Sequence, residues 1–336
     1  MSEINNITPL SVAGGYWTGS SAVVDILAEH ENCNVVPGEF SMFSFGQFFK
    51  EVFDPLYSKK IDGTLLDSNL KRIIDFNLTD MRPIRPALRY VFSYFKFYPN
   101  LFFNPRTGMY KILGEDYKKS CLNFIEQLKL IRTDISLADI GLLRDQISKI
   151  LHHASLGVNN YKDKSEIKYG VFDQLIAPPY IDMSKTALSK IKFINVDRDW
   201  RDQYISLRYR YSHMMARNRN LGIRPFDEDL SIVNTKPLDF MISLRKKIDE
   251  VKKIQNDKSS KDILWLEYEN IVLDPKKTVK KIFDFLDLDP EKWKPNQFFF
   301  PDQSSERIGK WKNEKFLDAS IKREIAEMND IYNGSN

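Results

Sequence analysis

Six residues with anion-handling chemistry lie close together near the start of the chain: Gly14, Gly15 and Gly19, with Thr18, Ser20 and Ser21. They join an apolar run, Pro9-Leu-Ser-Val-Ala, to a second one, Ala22-Val-Val-Asp-Ile-Leu-Ala. A strand, a glycine loop and a helix are expected there. The start of such a helix exposes unpaired N–H groups and the positive end of its dipole, so it attracts anions. Glycines let the backbone come close to a phosphate, and the hydroxyls of Thr18, Ser20 and Ser21 add donors. Ser20 and Ser21 also stand where a helix wants its N-cap. Gly14 and Gly19 have the Walker separation, but Ser20 occupies the lysine position of G-x-x-x-x-G-K-[ST]. That argues against an ordinary Mg-dependent nucleotide hydrolase. The segment reads equally well as a glycine-containing turn with a capping serine.

A second group lies far along the chain. Ile191-Lys-Phe-Ile-Asn-Val has the apolar character of a strand, and Arg198 comes just after it. An arginine at a strand end offers a planar donor fork to a phosphate. Ser206, eight residues later on the expected helix, can approach the same phosphate. A surface Arg–Asp cluster capping a helix is the alternative. The histidines, His30, His152, His153 and His213, and the two cysteines, Cys33 and Cys121, show no metal-site spacing. His30 is expected at a helix end.

The elements that must position these groups alternate in type. Strands are expected at residues 9–13, 34–36, 191–196 and 263–268. Helices are expected from Ala22, over 115–131, 136–151 and 198–215, from Pro275 to Leu286, and over 314–331. Strands separated by helices imply a mostly parallel sheet, and ligands on such sheets bind beyond the carboxyl ends of the strands. The expected fold is α/β: a parallel sheet flanked by helices, a P-loop-like nucleotide fold in a single domain over residues 1–336. Residues of about 40–165, rich in aromatics, read as a helical insertion that forms the acceptor region. Tyr268 and Glu269 are expected to brace the fold.

Bulk properties limit the partners. The net charge of +4, from 50 basic and 46 acidic residues, is too small an excess for a dedicated nucleic-acid binder. Two cysteines cannot build a disulfide framework, which suggests a reducing compartment. No stretch reaches the roughly 18 apolar residues of a membrane span, and residues 1–10 lack a leader pattern. A soluble, cytoplasmic protein is expected.

The loop Trp17-Thr-Gly-Ser-Ser resembles the 5′-phosphosulfate loop, K/R-S-G-T-T, of sulfotransferases that use 3′-phosphoadenosine 5′-phosphosulfate (PAPS). Lys192 to Ser206 resembles that family's 3′-phosphate segment, R-D-P-R-D followed by a serine, with Trp200 in place of the proline. Leu266 to Pro275 resembles its Y-E-x-L stretch, and Arg307-Ile-Gly-Lys-Trp-Lys-Asn its late cofactor-closing loop. The resemblance runs over about residues 10–37 and 170–316 and is closest in pattern to soluble bacterial-type carbohydrate sulfotransferases. It implies sulfuryl transfer from PAPS, without a metal, to a hydroxyl or amine, with a carbohydrate or glycoconjugate as acceptor. It implies PAPS contacts from Gly15, Trp17, Thr18, Gly19, Ser20, Ser21, Arg198, Ser206, Arg307, Gly309 and Lys310. It also implies a glutamate base after the second strand, a position held by Glu39, 22 residues beyond Trp17. Trp17 departs from the pattern, because the family has a lysine or arginine there. Arg208, Arg210, Lys310 and Lys312 are the candidate replacement cations. His152 and His153 fall in the acceptor region. A P-loop kinase or nucleotide hydrolase, and a non-catalytic nucleotide-binding relative, are the competing readings.

Overall fold

The computed structural model describes residues 7–15, 18–53, 63–77, 112–131, 137–157, 164–188, 190–208, 237–257, 261–313 and 317–333. Trp17, Arg210 and His213 lie outside them. The five strands are β1 (Thr8–Gly14), β2 (Cys33–Glu39), β3 (Tyr169–Asp173), β4 (Lys192–Asp197) and β5 (Ile263–Glu267). They form one sheet in the order β2-β3-β1-β4-β5, with every neighbouring pair parallel. The helices that concern the site are α1 (Ser21–Ala28), α2 (Gly63–Asn77), α3 (Glu115–Ile131), α4 (Leu137–Gly157), α5 (Ile181–Ala187), α6 (200–208) and α7 (Pro237–Asp257). They continue with α8 (Tyr268–Leu273), α9 (Pro275–Leu286), α10 (Pro301–Ser305) and α11 (Ala319–Asn333).

The strands read as continuous apolar runs because both faces of the sheet are covered. On one face Leu10, Val12, Cys33, Val35, Val171, Ile194 and Val196 pack with α1, α8 and α9. On the other, Val36, Phe172 and Phe193 join α3 and α4. Phe40, Phe43, Phe48, Phe49, Phe53 and Phe124 belong to that second core, all fully buried. The described aromatics of the expected acceptor region therefore fill the interior. A third apolar cluster joins α6, α7 and α11 through Tyr204, Leu207, Met241, Ile325 and Met328.

Two elements have no clear signal in the sequence. β3 is short and carries Gly170, where a Cβ would lie 1.7 Å from Ser155 Oγ on α4. α7 has apolar positions at Leu238, Met241, Leu244 and Ile248 beneath a heavily charged face. The expected helix over 198–215 is observed at 200–208, and residues 209–215 lie outside the described residues. No helix among the described residues is long and apolar enough to cross a membrane.

Candidate functional site

Successive strands are laid on opposite sides of β1, with β2 and β3 on one and β4 and β5 on the other, and such a switch point opens a crevice at the carboxyl ends of the strands. Gly14, Gly15 and residues 18–21 lie at that crevice. A Cβ on Gly14 would meet Thr18 Oγ1 at 1.9 Å and the Val196 carbonyl at 2.6 Å. Gly19 has φ +85° and lies against the Tyr268 ring, 2.4 Å from the place a Cβ would take. Both positions require glycine. Thr18 is buried, and its Oγ1 has no hydrogen-bond partner among the described residues. An orphaned buried hydroxyl in a glycine loop fits an anion that is to be received there.

Ser20 departs from its expected capping role. Its side chain makes no cap hydrogen bond to α1. Instead Ser20 Oγ accepts from Gln174 Nε2 at 2.7 Å and donates to Asp173 Oδ1 at 3.4 Å, so it is turned toward the end of β3. Glu39 pairs with Asp173 across a β-bulge that comes after Val36, with Gly38 at φ +79°. It is the last residue of β2 rather than a residue beyond it, and the bulge re-aims it. Glu39, Asp173 and Ser20 thus share one corner of the crevice.

Arg198 leaves the end of β4 and is 7% exposed. Nη1 donates to Ser206 Oγ at 3.5 Å, and Nη2 donates to the Arg307 carbonyl. Its guanidinium lies 4.9 Å from the centre of the Tyr268 ring. Burial pushes its pKa below the usual arginine value, against the pull of Asp202. Residues 198, 206 and 307 come from three segments and meet at one place. Tyr268 is buried, and its hydroxyl donates to the Ser304 carbonyl at 3.1 Å. Glu269 Oε1 accepts from the Asp199 amide at 3.0 Å, and burial raises its pKa. Both residues brace the site, in keeping with their sequence reading.

α7 adds charge that sequence reasoning missed. Leu244 and Ile248 are the neighbours a Cβ on Gly15 would meet, and Gln203 Nε2 donates to the Gly15 carbonyl. Arg245 and Lys252 reach Asp197 at 2.5 and 3.1 Å. Burial alone would raise the Asp197 carboxyl, but these two cations outweigh it and hold its pKa below the usual range.

Other sequence candidates lie elsewhere. Arg208 pairs with Glu324 at 3.4 Å and donates to Ser320 Oγ, so it faces α11. Lys312 lies over Trp311, 5.2 Å from the ring centre. His30 is buried; its Nδ1 accepts from the Asn32 amide and its Nε2 faces the Asp289 carbonyl at 2.8 Å, which fixes the neutral Nε2–H tautomer. His153 Nδ1 pairs with Ser120 Oγ at 2.7 Å between α3 and α4. Ser155, just beyond it, contacts Asn34 and Gly170 near the starts of β2 and β3. His152 and His153 thus lie toward the amino ends of the strands, away from the loop at their carboxyl ends. No metal-binding group of acidic, histidine or cysteine side chains occurs among the described residues.

The family model described as "Sulfotransferase domain" matches residues 112–317, more than half of the chain. The chain belongs to the sulfotransferase family. It is a PAPS-dependent enzyme that transfers a sulfuryl group. Among solved structures, the sulfotransferase domain from the Synechococcus PCC 7002 olefin synthase is similar at 14% identity, covering 98% of this chain and 95% of that one, with a TM-score of 0.42. The sulfotransferase domain from the curacin biosynthetic pathway is similar at 13% identity, covering 96% and 97%, with a TM-score of 0.40. Sulfotransferase STF9 from Mycobacterium avium is similar at 10% identity, covering 97% and 77%, with a TM-score of 0.39. No curated protein sequence matches the chain. Membership of the sulfotransferase family rests on the domain match.

Proposed function

We propose that this sulfotransferase moves the sulfuryl group of PAPS to a hydroxyl of a carbohydrate or glycoconjugate, with Glu39 as the base. An amine acceptor is served by the same chemistry. The observation that carries the cofactor half is the meeting of Arg198, Ser206 and the Arg307 segment beside Tyr268, whose other neighbour is Gly19. In this reading the loop Gly15–Ser21, Trp17 included, holds the 5′-phosphosulfate. Arg198, Ser206, Arg307, Gly309 and Lys310 hold the 3′-phosphate side.

PAPS supplies an activated S–O bond that breaks toward phosphate as a new S–O bond forms to the acceptor. The protein's part is positioning and electrostatic stabilisation. Glu39 takes the proton of the acceptor hydroxyl. Thr18 and the loop amides face the phosphate that gains charge. Trp17 brings no positive charge, and Arg245 and Lys252 on the neighbouring α7 are already paired with Asp197, so the loop amides and hydroxyls carry that load. The single domain, with residues of about 40–165 forming the acceptor region, and a cytoplasmic setting belong to the same proposal. The glycan assignment rests on the position of Glu39, since the described phenylalanines are core.

Titration calorimetry with 3′-phosphoadenosine 5′-phosphate (PAP), against ATP and AMP, tests the cofactor site. Micromolar affinity that needs the 3′-phosphate and drops about 30-fold or more in Arg198→Ala is expected, the loss of a charge-assisted pair. Equal preference for ATP would sink the assignment in favour of a kinase-like site. For the base, Glu39→Gln should lower turnover on glycan acceptors by about 100-fold or more while PAP affinity stays within about twofold. Unchanged turnover removes Glu39 from the chemistry.

A further inference from the structure

Asp202 is 1% exposed and lies one helical turn before Ser206 on α6. A buried carboxylate beside a site for a polyanion is unfavourable unless its charge is consumed by donors. Both of its oxygens are so consumed. Oδ2 accepts from the Gly309 amide at 2.7 Å, and Oδ1 accepts from the Trp311 amide at 3.1 Å. Two amides two residues apart can converge on one carboxylate because Gly309 adopts φ +71°. The same turn is held from outside by Arg201, whose guanidinium lies 3.7 Å from the centre of the Trp311 ring and is itself held by Asp199. The backbone carbonyl of Asp202 accepts from Ser206 Oγ at 2.9 Å. One residue therefore fixes the 309–311 turn through its side chain and orients Ser206 through its carbonyl.

We infer that Asp202 is a positioning residue that sets the affinity for the 3′-phosphate of the nucleotide, by holding the Gly309–Trp311 turn over Arg198 and Ser206. The inference rests on the nucleotide reading above. The geometry separates it from a role in chemistry, because Asp202 faces the turn and α6 while Glu39 and the glycine loop stand at other strand ends. Asp202→Asn keeps the shape but offers one acceptor and one donor, so one of the two amides loses its partner and meets another N–H.

The test compares wild type and Asp202→Asn by calorimetry with PAP and with adenosine 5′-phosphosulfate, which lacks the 3′-phosphate, and by steady-state kinetics with PAPS. The variant should bind PAP about tenfold or more weakly. Its affinity for adenosine 5′-phosphosulfate should stay within about twofold, and KM for PAPS should rise with kcat unchanged. A merely structural role would leave the affinities of the folded fraction equal to wild type, and that result overturns the inference. So does a loss shared equally by both nucleotides. If Asp202→Asn fails to fold, hydrogen exchange on wild type decides: slow exchange at the Gly309 and Trp311 amides supports the inference, and fast exchange overturns it. Wild type that binds no PAP would instead remove the nucleotide reading itself.

Discussion

Glu29, at the end of α1, is the strongest single anchor of the segment that leads into the closing loop. It is 3% exposed. Oε1 accepts from the amides of Gln297, Phe298 and Phe299, each at 2.9 Å, and Oε2 accepts from Trp293 Nε1 at 3.0 Å. Hydrogen bonds to a charged group contribute about 1.5–3 kcal/mol each, so four bound the total at roughly 6–12 kcal/mol. The true figure is smaller, because three donors share one oxygen and the burial of the carboxylate opposes them. In Glu29→Gln the amide oxygen keeps the three backbone donors at neutral strength, but its NH₂ meets the Trp293 N–H. A loss of about 3–5 kcal/mol is expected, a large share of the roughly 5–15 kcal/mol that holds ordinary folds. With a urea slope of about 3 kcal/mol/M, the midpoint falls by about 1–1.7 M. Urea titration followed by tryptophan fluorescence and circular dichroism measures this. A loss under about 1 kcal/mol would refute the reasoning and assign the segment's position to its apolar contacts, Trp293 and Phe299 among them.

Four further outcomes are expected. Gly19→Ala should destabilise by about 1–2 kcal/mol from the left-handed backbone alone, with further loss of PAP affinity as Tyr268 is displaced. Gly141→Ala, in α4 with nothing within 4 Å of a new Cβ, should be neutral or stabilising by up to about 1 kcal/mol; thermal unfolding of both variants checks the pair. Asp197 has its folded pKa held below the unfolded value. Its contribution is therefore present above the ordinary carboxylate pKa, about 3.9, and lost as pH falls through the lower folded value. Asp197→Asn should be less stable near neutral pH and should show a shallower acid loss below about pH 4, read from urea midpoints against pH. Cys121 is buried with its thiol pushed up to about 12, and Cys33 is fully buried. Neither should react with a thiol reagent at neutral pH until urea unfolds the protein, and stoichiometric labelling of the native enzyme would contradict that.

The site was legible where its residues are close in sequence. Arg198 and Ser206 sit on one strand–helix unit, and the family pattern with its eight-residue spacing pointed to both. α9 was read with its observed bounds, because Pro275 marks its first turn and Thr278, Val279, Ile282, Phe283 and Leu286 repeat on its buried face. The partners of Ser20 were hidden, since Asp173 and Gln174 arrive on β3, whose five residues are interrupted by a glycine that only Ser155 explains. The arrival of Arg307 at Arg198 is a contact across 109 residues. No local pattern encodes such a contact, and only the family resemblance pointed to it. The described phenylalanines after Glu39 are core, and composition does not distinguish a binding surface from an interior.

The Tyr268 ring touches both Gly19 and Arg198, so it couples the glycine loop to the end of β4. In the proposed reading these contacts belong to the two ends of the nucleotide site, so neither end can be retuned alone. A side chain at Gly19 demands a smaller residue at Tyr268, and a smaller residue there slackens the support behind Arg198. Evolution or design that seeks a donor with a different spacing between its anionic groups must therefore change all three positions in one concerted step.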